Sequence, residues 1–179
     1  MYLFHNTTLE SLESILSEKY IKSLDILLNE GKTNIISEGD TVYTINKFIY
    51  FGCIDKLFAR EIFAKVILYF DPKISLANRK FFVSTVHSST PDNLMESNDD
   101  YKRGYKRGYK NYNSVLKKLY EDSINKLPRG KSFQVFQQVA LKNKMNIKGL
   151  VAIEFNVKPN GKLLNLIKNK FPEVIIKNN

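Results

Sequence analysis

The chain has one cysteine, Cys53, and two histidines, His5 and His87. A lone thiol forms no internal disulfide, and one thiol with two imidazoles cannot furnish a structural zinc set, so neither a disulfide framework nor a metal site is expected. Long apolar runs are missing too. No stretch approaches the about 20 residues that span a bilayer, and the first residues lack the basic flank and apolar core of a secretory signal. These absences exclude a membrane-spanning reading and set the expectation of a soluble, intracellular protein, in the cytoplasm of its producer or of a host cell.

Acidic residues are scarce in one part only. Residues 1–100 carry 10 Lys/Arg against 14 Asp/Glu, a balance of −4, whereas residues 101–179 carry 18 against 4, a balance of +14. Codon bias in an AT-rich genome enriches Lys, Asn and Ile, but it would do so throughout and leaves the asymmetry unexplained. The positive part points to nucleic acid or another polyanion as partner. A length of 179 residues fits one domain, 1–179, with its own hydrophobic core.

Periodicity supplies the elements. A short Tyr-Leu-Phe strand runs into His5, and Leu9, Leu12, Ile15 and Leu16 then recur at helical spacing, giving a helix over residues 8–18. Thr7 with Glu10 matches the Ser/Thr-x-x-Glu capping pattern. A short helical piece and a loop follow over 23–39. Residues 41–51 are rich in Val, Ile, Tyr, Thr and Phe, as strands are, and Gly52 breaks that strand. Asp55 caps a helix to about residue 65 with Leu57, Phe58 and Ile62 at core spacing. Strands follow over 66–70, 79–87, 133–141 and 150–157, and a helix over 116–127 ends at Pro128. Pro159, Asn160 and Gly161 make a turn before a last short strand or helix. Strands mixed with a few helices, without regular βαβ alternation, define an α+β fold.

A surface loop is expected over about 88–113, and it holds an internal repeat, Tyr-Lys-Arg-Gly twice and then Tyr-Lys. Tyr101, Tyr105 and Tyr109 offer π-faces to bases, while Lys102, Arg103, Lys106, Arg107 and Lys110 offer cations to phosphates, as in sequence-tolerant single-strand binders. Four-residue spacing also lines one face of a helix, in which Gly104 and Gly108 would each cost about 1 kcal/mol. Binding loop, packed helix and drifted low-complexity loop all stay open.

The stretch FHNTTLESLESIL, with the later aromatic strand and the strand near 133–141, resembles the ADP-ribosyltransferase fold, and within it the group of DNA-targeting ADP-ribosyltransferase toxins and poly(ADP-ribose) polymerases. The resemblance implies two small packed antiparallel sheets with flanking helices, and NAD as cofactor. It implies that His5 hydrogen-bonds the NAD ribose, that Thr7 helps hold the nicotinamide half, and that Tyr43 or Tyr50 packs on nicotinamide. The family's catalytic Glu begins a late strand; here that strand carries Gln138, and the acids beyond residue 100 are Glu121, Asp122, Glu154 and Glu173, none at that place. A carboxylate there stabilises the cationic ribosyl transition state, whereas an amide only exchanges hydrogen bonds. An NAD-binding protein with weak or lost transferase activity, able to modify or bind nucleic acid, is therefore expected, with Gln138 and His5 at its centre. Two other readings stand beside it. His5-Asn6-Thr7 and His87-Ser88-Ser89 match the paired His-x-Ser/Thr motifs of the 2H phosphoesterases, whose two imidazoles serve as acid and base on cyclic phosphates or RNA ends. The third is a non-enzymatic basic protein with a nucleic-acid-binding or structural role.

Overall fold

The computed structural model describes residues 1–32, 47–59, 64–83, 106–108, 112–114, 117, 121 and 134–179. Its strands are β1 (Tyr2–Thr7), β2 (Tyr20–Lys22), β3 (Phe48–Ile54), β4 (Val66–Phe70), β5 (Lys80–Val83), β6 (Lys106–Arg107), β7 (Gln134–Lys142), β8 (Lys144–Asn146), β9 (Leu150–Phe155) and β10 (Ile175–Asn178). The helices are α1 (Leu9–Glu18), α2 (Leu24–Asn29), α3 (Pro72–Ser75) and α4 (Gly161–Lys170). The α+β class thus holds. One sheet of eight strands, ordered β10-β9-β4-β1-β3-β7-β5-β6, accompanies a two-stranded β2-β8 piece. The expected pair of small antiparallel sheets is not what forms, because β1 pairs with β4 on one side and β3 on the other and so joins the strands into one sheet. Helix α4 then carries the chain back to lay β10 parallel to β9, the one parallel pairing among the described strands.

Both faces of the central strands are covered, which is why all five residues of β4 are buried and read as an unbroken apolar run. On one face Leu3, Phe51, Leu68 and Ile153 pack with Leu12, Ile15 and Leu16 of α1 and Leu163 and Ile167 of α4. On the other, Phe4, Ile54, Ile67, Tyr69 and Ala152 are covered by Leu57, Phe58, Ala59 and Ala64. Those covering residues are not helical where described: residues 55–58 form bends and turns, with Phe58 at φ 56, and residues 60–63 of the expected helix lie outside the described residues. Turns let Phe58 fold over Tyr69, with ring centroids 5.3 Å apart, a contact that apolar spacing alone does not distinguish from a helix face.

Several boundaries shift for identifiable reasons. Helix α1 is capped by Thr8, whose side chain accepts from Ser11 N, so Thr7 stays in β1 and the expected Thr7 cap is corrected by one residue. Asn160 caps α4 by accepting from Leu163 N at 2.7 Å, so the Pro159-Asn160-Gly161 signal marks a helix start, and both a helix and a strand follow it. The surface loop is interrupted by β6, which pairs with β5, and by Tyr112, which is buried against Phe81 with ring centroids 6.1 Å apart. Asn143, at φ 68, takes the chain out of the large sheet after β7 and into β8. Residues 117 and 121 are helical, in accord with the helix expected over 116–127, most of which lies outside the described residues.

Gly52 does not end its strand; it lies inside β3, opposite Phe4 of β1. A Cβ at this position would stand 2.1 Å from Phe4 Cζ, so the ring lies where any other side chain would begin. Gly52→Ala should therefore destabilise the fold by about 1–3 kcal/mol, the range for overpacking a core. Urea denaturation of Gly52→Ala, Phe4→Leu and the double variant checks the cause, because relief of the clash makes the double variant cost less than the sum of the singles.

The last strand is locked by Glu154 of β9, which is buried. Its carboxylate accepts from Tyr69 Oη at 2.6 Å, Lys177 Nζ at 2.7 Å and Asn179 Nδ2 at 2.9 Å. Burial raises its pKa, but Lys177 and the two other donors outweigh that, leaving it below the ordinary 4.5. A lowered folded-state pKa gives stability that is present above about 4.5 and is lost as pH falls through the folded value. The protection factors of the Ile175–Asn178 amides, taken against the intrinsic exchange rate at each pH, should accordingly fall on acidification before those of β4, and Glu154→Gln should show the lower protection already at neutral pH.

Candidate functional site

His5 stands where two strands part. The β1–β3 ladder runs Tyr2 with Ile54, Leu3 with Cys53 and Phe4 with Gly52, and stops there, while β1 continues its pairing with β4 through Thr7. In place of the next ladder bond, His5 Nδ1 lies 2.9 Å from the Tyr50 carbonyl oxygen. A carbonyl only accepts, so Nδ1 carries the proton in this bond. Burial lowers the His5 pKa from its ordinary 6.5, and the Tyr50 hydrogen bond offsets part of that. The imidazole is thus held neutral, protonated at Nδ1, and Nε2 is left as a hydrogen-bond acceptor. No partner for Nε2 occurs among the described residues.

The ring packs at a tilt against Phe51, with centroids 5.4 Å apart. Phe51 belongs to the core face that holds Leu3, so His5 shares that face, and strand alternation puts the Tyr50 side chain on the other. The aromatic beside His5 is therefore Phe51, and Tyr50 serves it through its carbonyl. Thr7, two residues on, shares the His5 face at a spacing of about 7 Å. Its hydroxyl, released from capping duty, has no partner among the described residues, and the residue is half-buried.

Gln138 lies on the strand beyond β3. Phe51 pairs with Val139 and Cys53 with Val135, so the register jumps opposite Gly52, and Gln138 adjoins the irregularity. It stands within β7 one residue before the regular pairing from Val139 to Lys142 starts, and not at the strand's first residue. Strand β3 separates it from β1. The backbones bearing His5 and Gln138 are consequently two strand spacings apart, about 10 Å. Tyr43, Tyr101, Lys102, Arg103, Tyr105, Tyr109, Lys110 and His87 lie outside the described residues, as does any pairing of the two histidines. Lys106 and Arg107 form β6 on the far edge of the sheet, three strands beyond β3.

Sequence reasoning missed Phe51 and the Tyr50 carbonyl. The first was within the aromatic strand, but choosing between adjacent aromatics requires the strand's facing; a carbonyl leaves no trace in side-chain chemistry. Among the described residues no cluster of His, Cys, Asp and Glu could hold a metal ion, and no helix is long and apolar enough to cross a membrane. No protein-family model matches the chain, and no curated protein matches it.

The neutral-imidazole assignment has a direct check. A folded-state pKa below 6.5 means that the unfolded chain takes up a proton first as pH falls, so His5 lowers stability on descent from about 6.5 through its folded value and leaves it unaffected above. Long-range imidazole ¹H–¹⁵N spectra should show one histidine protonated at Nδ1 at pH 7 with a titration midpoint under 6.5, and His5→Asn should remove that signal.

Proposed function

We propose that this chain is an ADP-ribosyltransferase-like protein that binds NAD at the parting of β1 and β3 and has weak or lost transferase activity. The observation that carries this reading is the strand order β1-β3-β7, which makes neighbours of the strands that bear His5, Tyr50 and Gln138. The residues present suit the cofactor. A neutral Nε2 accepts a hydrogen bond from a ribose hydroxyl, which an imidazolium could not, and the Thr7 hydroxyl can donate or accept beside it. Bound there, NAD would supply an electrophilic ribose and a nicotinamide leaving group. His5 then binds and orients the ribose through Nε2, while its Nδ1 proton is committed to Tyr50.

Gln138 sets the limit on activity. A neutral amide at the carboxylate's place offers no charge to a developing cation, and electrostatic contributions of this kind are worth roughly 3–4 kcal/mol of barrier. The chain as written should bind NAD and release nicotinamide slowly or not at all. Gln138→Glu should raise NAD hydrolysis or transfer by about 10²–10³-fold, read as nicotinamide release by chromatography. Calorimetry of NAD binding should show at least a tenfold weaker affinity for His5→Ala than for the parent. An absence of NAD binding by the parent, together with no gain in Gln138→Glu, would sink the reading. Nothing among the described residues favours the phosphoesterase alternative, whose second histidine is His87.

A further inference from the structure

The far end of the large sheet pairs basic positions across its strands. Lys80 of β5 pairs with Arg107 of β6. On the other side of β5, Phe82 pairs with Ala140 and Val83 with Val139 of β7, and that antiparallel register carried back by two residues sets Lys80 beside Lys142. Three adjacent strands thus set the backbone positions of Arg107, Lys80 and Lys142 side by side at steps of about 5 Å. Lys142, Lys144 and Lys148 are all exposed. No carboxylate lies within 4 Å of Arg79, Lys80, Lys142, Lys144 or Lys148 among the described residues, whose ion pairs involve Lys22, Lys32, Lys117 and Lys177 instead.

Like charges directly across a ladder destabilise a sheet, and a solvated face would ordinarily intersperse acids. None of β5, β6, β7 and β8 contains an Asp or Glu. A second, independent feature sits at the same corner. Arg79, just before β5, donates from Nη2 to the Lys144 carbonyl, while its Nε is buried and has no partner among the described residues. Lys144 in turn lies over the Tyr20 ring, with Nζ 4.9 Å from the centroid. This end of the sheet therefore combines basic residues at neighbouring strand positions, a guanidinium donor without a partner among the described residues and an aromatic surface.

We infer that this corner, centred on Arg79, Lys80, Lys142 and Lys144, binds the phosphate backbone of a nucleic acid strand. Bound phosphates remove the cross-strand repulsion and release their counterions, so the free protein's unfavourable charge arrangement becomes part of the binding free energy. The inference stands apart from the NAD reading, since it uses neither His5 nor Gln138, and apart from the Tyr-Lys-Arg-Gly repeat except for the register of β6.

The experiment is fluorescence anisotropy of a labelled single-stranded oligonucleotide and a labelled duplex against the full chain over a range of salt. Lys80→Ser/Lys142→Ser/Lys144→Ser should weaken binding at least tenfold. It should also flatten the log–log salt slope by about 2 for single strands, at about 0.7 per cation lost. Arginine at the same three positions should keep both affinity and slope, and all variants should be compared at matched thermal stability. A control on α4, Lys162→Ser/Lys168→Ser/Lys170→Ser, should bind as the parent does. An unchanged slope in the β5–β8 variant, an equal loss in the α4 control, or binding to phosphatidylserine vesicles without binding to either oligonucleotide would overturn the inference.

Discussion

The contact of Phe4 with Gly52 governs the centre of the sheet. A ring laid on a glycine lets β1 and β3 close against one another at a pair where two side chains could not both fit, since a Cβ on Gly52 would meet Phe4 at 2.1 Å. Everything on one side of that pair is ordinary ladder. On the other side the β1–β3 pairing stops, and on the opposite edge of β3 the register to β7 jumps at the same residue. A bulge bends a strand and raises its twist, so one residue without a side chain fixes both the place where β1 turns away and the place where β7 is distorted. The candidate site occupies the resulting irregularity.

The chemistry of His5 follows from that parting. Where β1 leaves β3, the imidazole takes up a backbone group: Nδ1 donates to the Tyr50 carbonyl, and burial keeps the ring neutral. That one bond ties the parting strands together and fixes the tautomer, which leaves Nε2 an acceptor. A structural role and a binding role for His5 are therefore not alternatives, because the first dictates the form in which the second is available.

How much of this was legible in the sequence depended on the range of the forces involved. Helix α1, β4 and β9 could be read because their apolar spacing answers to a core whichever neighbours they have. Thr7 and Thr8 both satisfy a capping preference, and only the end of the β1–β4 pairing at Thr7 decides between them. Gly52 looked like a breaker because its compensation, Phe4, lies 48 residues earlier in the chain. The segment after Ile54 showed helical spacing, yet its apolar residues serve as a cover for Tyr69 from turns, a geometry that periodicity does not encode. At the site, the side-chain types of His5, Thr7 and Gln138 could be singled out, whereas the Tyr50 carbonyl and the facing of Phe51 exist only once strands are paired.

Strand β7 links the candidate site to the basic corner. Its residues 136–138 lie across from Gly52, where the register jumps, and its last residue, Lys142, pairs with Phe48 and adjoins the basic row. Four residues of strand separate Gln138 from Lys142, about 13 Å. Pairing with β3 on one side and β5 on the other holds that separation rigid. A change at Lys142 therefore alters charge without moving Gln138, and a change at Gln138 alters the central irregularity without reaching the basic corner. Sites further apart than about 10 Å with no shared partner contribute additively, so the two proposed activities, nucleic-acid contact and NAD binding, would be separable by substitution although a single strand would carry both.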